Sequence, residues 1–305
     1  MKKRRGKKRS VLLVVVIIIA VLLFLSMCSL FWGYDSFLGN VAYIPVKGVI
    51  TVDGSSSLLG ADFASSENIV AFIEDAAEDP LIEAIVFDIN SPGGSAVASD
   101  EIAQAIKRAN KTTVAVIREV GASGGYWIAS STDYVVANRM SIVGSIGVIS
   151  SYLEFSRLLD DYNVTYQRLV SGQYKDMGTP FKELTNEERE ILQKKLDKIH
   201  GFFIDEIAEN RGIAHEQVKN MATGEFFLGV EGKEMGLIDE LGDLKTAEKY
   251  LRDELDLERI DYLYYEAKPT LWEALSQIMS PFFYYMGIGM GETLFETTST
   301  LGINV

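Results

Sequence analysis

One cysteine and two histidines in 305 residues leave little material for several kinds of chemistry. Cys28 has no partner, so no internal disulfide can form and stability must come from core packing. A clustered zinc site draws on several Cys or His ligands, which Cys28, His200 and His215 do not supply. No metal or other cofactor is expected. Neither histidine sits in a supporting motif, since His200 lies within a long helical stretch and His215 opens another, and both read as surface residues. The chain also lacks a nucleic-acid-binding motif, an internal repeat, and any low-complexity segment beyond its N-terminus. Acids are missing too from the first 34 positions, Asp35 being the first, whereas residues 1–9 carry Lys2, Lys3, Arg4, Arg5, Lys7, Lys8 and Arg9. The net charge is −14, so the rest of the chain is more acidic still. An acidic body does not suit a polyanionic partner, and no nucleic acid is expected.

What is present begins with an apolar run. Val11 to Trp32 contains no charge. At about 1.5 Å per residue it spans about 33 Å, enough to cross a hydrocarbon core of about 30 Å. The run is too long for a cleaved leader and has no good small-residue cleavage site near Ser26-Met27-Cys28-Ser29. It is therefore expected to be an uncleaved, single-pass anchor in the cell membrane. The preceding basic residues (1–10) should stay cytoplasmic, which places the C-terminal body on the extracytoplasmic side. A linker, 33–40, leads to a domain over 41–265, and a tail, 266–305, completes the chain.

In the domain, apolar runs alternate with helical periodicity. Strands are expected at Val41–Val46, with Gly48–Ile50 as the turn after it, and at Ile82–Ile89, Thr113–Ile117, Tyr134–Ala137, Val143–Ile149, Val164–Val170 and near 259–265. Residues 51–62 read as a loop. Helices are expected over Ser66–Ala77, Asp100–Ala109, Thr185 to about Arg211 (Thr185 and Glu188 forming a capping box), His215–Thr223, Val230–Met235 and 243–254. Strands alternating with helices give an α/β fold with largely parallel pairing.

Two turns could carry chemistry. Gly121-Ala122-Ser123-Gly124-Gly125-Tyr126-Trp127 follows a strand and opens a helix, the setting of a nucleophile elbow, with small neighbours that admit a substrate carbonyl. Ser91-Pro92-Gly93-Gly94 ends another strand and presents unobstructed backbone N–H groups. With the N–H of Gly124 it would supply the two donors of an oxyanion hole. A base for Ser123 is harder to find. Lys175, in Ser171-Gly172-Gln173-Tyr174-Lys175-Asp176, stands in a loop rather than on a charged helix face. To act near pH 7 its pKa must fall from roughly 10.4 to about 7, a cost of about 4 kcal/mol, mainly through desolvation. Asp176 next door would oppose that if it faced the same way. Residue types alone leave the base undecided.

These motifs, with Gly144-Ser145-Ile146-Gly147 and Gly229 through Leu241-Gly242, resemble the signal peptide peptidase A family in its short, single-domain bacterial form. The resemblance covers nearly all of 41–250. It implies a Clp-protease/crotonase-like fold of repeated ββα units and a serine endopeptidase with a Ser-Lys dyad. Ser123 would be the nucleophile and Lys175 the general base, with Gly94 and Gly124 as oxyanion donors and Ser145 orienting the lysine. It also implies a homo-oligomeric ring, possibly an octamer, and as substrates the signal peptides left in the membrane after secretion. A base donated by an adjacent subunit typifies the longer form, whereas here both residues lie in one chain. A related membrane protease of the same fold (stomatin-type), a non-catalytic scaffold and an acyl-CoA hydratase are the competing readings.

Overall fold

A computed structural model describes residues 39–53 and 63–266, with the single positions Ile17 and Met286. The expected anchor, residues 54–62 of the expected loop, and nearly all of the tail lie outside the described residues. Contacts divide the chain into two units, Met1–Tyr265 and Glu266–Val305, and the sheet and its covering helices belong to the first. Among the described residues no helix is long and apolar enough to cross a membrane.

The elements in order are β1 (Val41–Lys47), β2 (Val49–Thr51), β3 (Phe63–Ser65), α1 (Ser66–Glu78), β4 (Ala84–Ser91), α2 (Ala96–Arg108), β5 (Thr112–Ala122), α3 (Gly124–Ser130), β6 (Tyr134–Ala137), β7 (Ile142–Gly144), α4 (Ser156–Asp161), α5 (Asn186–Arg211), α6 (His215–Met221), β8 (Phe226–Leu228), α7 (Gly229–Glu234), β9 (Glu240–Leu241), α8 (Leu244–Leu255) and β10 (Tyr262–Tyr264). The main sheet runs β10-β1-β4-β5-β6-β9, parallel throughout. β7 pairs parallel with the end of β5, and β8 pairs antiparallel with β7.

The central strands are apolar along their whole length because both faces are covered. On β4, Ile85, Phe87 and Ile89 pack with Ile69 and Ile73 of α1 and Ile102 and Ile106 of α2. Ala84 and Val86 point the other way, to Ala247 and Leu251 of α8. Alternation of side chains thus produces three layers, helix on sheet on helix. The termini of the helices follow from their caps. Ser95 caps α2, accepting from the Ala98 N–H, so this helix begins at Ala96 rather than at Asp100. Thr185 and Glu188 close the capping box of α5 reciprocally, at 3.2 and 3.0 Å.

Two expected strands are corrected. β7 ends at Gly144, because Gly144 and Ser145 both adopt positive φ (79° and 51°) and turn the chain out of the sheet. Val164–Val170 is not a strand. Its alternating residues are exposed and no neighbouring strand pairs with them among the described residues, so the backbone stays irregular.

Candidate active site

β5 extends beyond the expected Ile117 to Ala122, and the extension aims Ser123. A register shift against β4 between Ile89 and Ser91 accompanies it, and the Asn90 side chain accepts from the Val120 N–H at 3.1 Å. Ser123 has φ 52° and ψ −124°, a conformation that L-residues adopt rarely and at a cost. Three hydrogen bonds hold it. Its N–H donates to Gly144 O at 2.8 Å, and its carbonyl accepts from Tyr126 and Trp127 N–H, each at 2.9 Å. The short helix α3 after it is buried along its length, and Tyr126 Oη anchors it by donating to Leu237 O at 2.6 Å.

The Ser91–Gly94 turn lies directly against this elbow. Gly93 has φ 98°, and a Cβ there would stand 2.7 Å from Gly124 N and 2.8 Å from Ser123 Cβ. A Cβ on Gly124 would meet Ser99 Oγ at 2.2 Å. Only glycine permits two backbones so close. The donors of this turn are distinct. Gly93 N–H donates to Ser91 Oγ at 3.1 Å, and Ser91 Oγ in turn donates to Gly48 O at 2.7 Å. β2 then receives the turn, since Ile50 N–H donates to Gly93 O and Ser95 N–H to Ile50 O. Gly94 and Gly124 are left with N–H groups that have no acceptor among the described residues. Geometry therefore separates Gly94 from Gly93, a distinction that residue types do not make.

A cavity of about 630 Å³ opens over these groups. Ser123, Gly93, Gly94, Gly124 and Ser145 line it, opposite an apolar wall of Trp127, Val148, Ile149, Leu196, Ile199 and Phe203. Trp127 stacks on Phe203 with centroids 4.7 Å apart, joining α3 to α5. This wall is not legible in the sequence, because α5 reads there simply as a long polar helix. Ser145 is fixed between β7 and β8, its N–H donating to Glu225 O at 2.9 Å and its Oγ to Gly224 O at 3.3 Å. A larger cavity of about 730 Å³, around Asp88, Lys47 and Arg118, contains none of these residues.

Both histidines stand off the Ser123 cavity. His215 is exposed, with Nε2 3.0 Å from Asp205 Oδ1, and His200 keeps a buried Nε2 without a partner among the described residues. Lys175 is not brought to Ser123 within the single chain. It sits on an exposed turn, its N–H donating to Gly172 O at 3.2 Å, and lines no part of the cavity. Its Nζ has no hydrogen-bond or ionic partner among the described residues. Asp176 faces Arg168 and Lys182 instead, and their charges hold its carboxyl well below the usual carboxylate range.

What this arrangement can do chemically is acyl transfer, with a strained serine hydroxyl and two glycine N–H groups lining one cavity. Comparison with known proteins agrees. Residues 105–258, which include Ser123, Gly124, Ser145 and Lys175, match the model of peptidase family S49. The chain is 30% identical over 234 residues to an Enterococcus faecium protein bearing the name signal peptide peptidase SppA, covering 76% of this chain and 68% of that one. It is 29% identical over 205 residues to the chloroplastic serine protease SPPA of Arabidopsis thaliana, covering 66% of this chain and 29% of that one. A solved structure of a ClpP1 variant from Listeria monocytogenes aligns with a TM-score of 0.45 at 17% identity, over 66% of this chain and 91% of that chain.

Proposed function

Because the chain belongs to peptidase family S49 and is a serine peptidase, we propose that it works through a Ser123–Lys175 dyad on signal peptides left in the membrane. The observation that carries the dyad's nucleophile is Ser123 itself, held at positive φ in the cavity that Gly94 and Gly124 also line, their N–H groups without an acceptor among the described residues. Ser123 Oγ attacks the scissile carbonyl carbon while the neutral Lys175 amine takes its proton. The negative oxygen of the tetrahedral intermediate accepts from Gly94 and Gly124 N–H. Collapse breaks the C–N bond, and the Lys175 ammonium protonates the leaving amine. Water then hydrolyses the acyl-enzyme by the same route in reverse roles. Ser145 suits the task of orienting the lysine, because its own proton is directed to Gly224 O and its lone pairs remain to accept from Nζ.

Substrate class rests on the wall of the cavity and on the N-terminus. Trp127, Ile199 and Phe203 suit the apolar side chains that make up a signal peptide's core. Residues 11–32, read as a membrane anchor, would hold the domain on the extracytoplasmic face where such remnants lie. Since Lys175 lies outside the cavity of the single chain, closing the dyad calls for a neighbouring copy or a movement of residues 149–184. A homo-oligomeric ring on a Clp-protease/crotonase-like fold supplies the first. Exposed apolar residues along that segment, Ile149, Leu153 and Leu169 among them, favour assembly.

The test is cleavage of a synthetic signal peptide and of unstructured casein by the full chain in detergent, with Ser123→Ala and Lys175→Ala in parallel. Wild type alone should cleave, and both variants should lose at least about 10³-fold in kcat/KM. Full activity in Lys175→Ala would refute the base, and cleavage of casein but not of the signal peptide would refute the substrate class.

A further inference from the structure

The turn that bears Lys175 is held by charged side chains that have no part in the proposed chemistry. Arg168 grips Asp176 with a fork, Nε to Oδ2 at 2.5 Å and Nη2 to Oδ1 at 2.9 Å, and its Nη2 also reaches Gln173 O at 3.2 Å. Lys182 donates to Asp176 Oδ1 at 3.2 Å and to Glu188 Oε1 at 2.6 Å. Glu188 is buried and belongs to the capping box of α5. A chain of four charges, two of each sign, thus runs from residue 168 to the N-terminus of α5. Tyr166 lies near Arg168, and Tyr174 Oη donates to Glu187.

Asp176 and Glu188 are largely shielded from solvent, so these pairs brace the turn, and their placement beside Lys175 leaves room for a second reason to build the cluster this way. The neighbour of Lys175 supplies one. A carboxylate free to turn toward a lysine amine pairs with its ammonium form and holds the proton there, the opposite of what a base requires. Here the Asp176 side chain is only 9% exposed and takes three donors from two cations. Lys175, one residue earlier, has no partner among the described residues. Sequence order alone would put acid and base side by side, and the fork removes the acid.

We propose that Arg168 and Lys182 are positioning residues that sequester the Asp176 carboxylate, keeping the Lys175 amine free for Ser123. The proposal rests on Lys175 as the general base. It adds residues that touch neither substrate nor reacting atoms, and acts through the company the lysine is allowed to keep.

The experiment follows the rate at which a fluorophosphonate labels Ser123, and casein cleavage beside it, as a function of pH in the full chain. Arg168→Gln should shift the acid limb of both profiles about one unit toward higher pH, about a tenfold loss on the limb, and Lys182→Gln should shift it the same way. Asp176→Asn alone should leave the limb in place. The decisive variant is Arg168→Gln with Asp176→Asn, in which no carboxylate remains to be released and the limb should return. A clamp that only braced the turn would give a double variant no better than the single one, and that result, or an unmoved limb in both single variants, overturns the proposal. Lys175→Ala separates this failure from that of the underlying reading. If Lys175→Ala is active, the base assignment falls. If it is inactive while the Arg168→Gln limb stays put, only the sequestering role falls.

Discussion

Ser123 occupies a backbone conformation that glycine would accept without strain, yet it carries the one side chain the elbow exists to present. Strain at such positions costs about 1–3 kcal/mol and persists because the surroundings over-determine it. Here the surroundings are the Gly144 carbonyl and the two N–H groups on the Ser123 carbonyl. Ser123→Gly should therefore abolish peptidase activity and raise stability by about 1 kcal/mol after allowing for the added freedom of the unfolded chain. Ser123→Ala, equally inactive, should leave stability close to wild type because it keeps the Cβ. Urea denaturation of the three proteins checks this, and a Ser123→Gly less stable than Ser123→Ala would contradict the strain. Much at this scale is legible in the sequence. A serine between glycines after a β-branched run already marks the elbow, since only small residues fit where two backbones meet. The choice of Gly94 over Gly93 is not, because it depends on Ser91 Oγ taking up one donor, a contact no spacing rule supplies.

Among the elements, Tyr134–Ala137 matches its expected place, whereas α2 begins four residues earlier than expected at its Ser95 cap. The capping box at Thr185 fixes the start of α5 from four residues, and Gly212 at φ 62° ends it. By contrast, the alternation in Val164–Val170 satisfies the pattern of a strand, but a strand also requires a neighbour to bond with. What orders that region instead is charge. Arg168 holds the Asp176 carboxyl below its ordinary range, and Lys182 does the same to Glu188. A carboxyl whose pKa falls on folding adds stability above its unfolded pKa, about 4, and loses it as pH drops toward the folded value. The melting temperature of wild type should thus exceed that of Asp176→Asn at pH 7, and the gap should close as pH falls below about 4. A gap that widened on acidification would reverse the sign and exclude the pairing.

For the whole molecule, the parallel sheet is covered by α1 and α2 on one face and α8 on the other, and many of the exposed apolar side chains among the described residues lie within 149–170. Leu169 is 96% exposed and Ile149 86%. Single apolar residues on a surface are ordinary, but a run of them on the segment that begins at the cavity wall with Ile149 is the kind of surface an interface between copies would cover. Leu169→Asp should lower the assembly state and the peptidase activity together while leaving the melting temperature of the domain within about 2 °C. Sedimentation and casein cleavage on the same samples would show it. Unchanged sedimentation would mean that Leu169 faces no neighbouring copy. The sequence carries little of this level. It shows that residues 149–170 are apolar in places, but whether they belong to a core or a surface depends on packing that spans the chain.

One peptide group ties these scales together. The carbonyl of Gly144 receives the Ser123 amide, and the N–H of Ser145, on the opposite edge of the same rigid plane, reaches Glu225 O. Ser123, Ser145 and the antiparallel pair β7–β8 are therefore joined through a single rigid plane. Its planarity makes it a gauge: the plane itself hardly deforms, so the separation of the two serines varies chiefly through the one hydrogen bond from Ser123 N–H to Gly144 O.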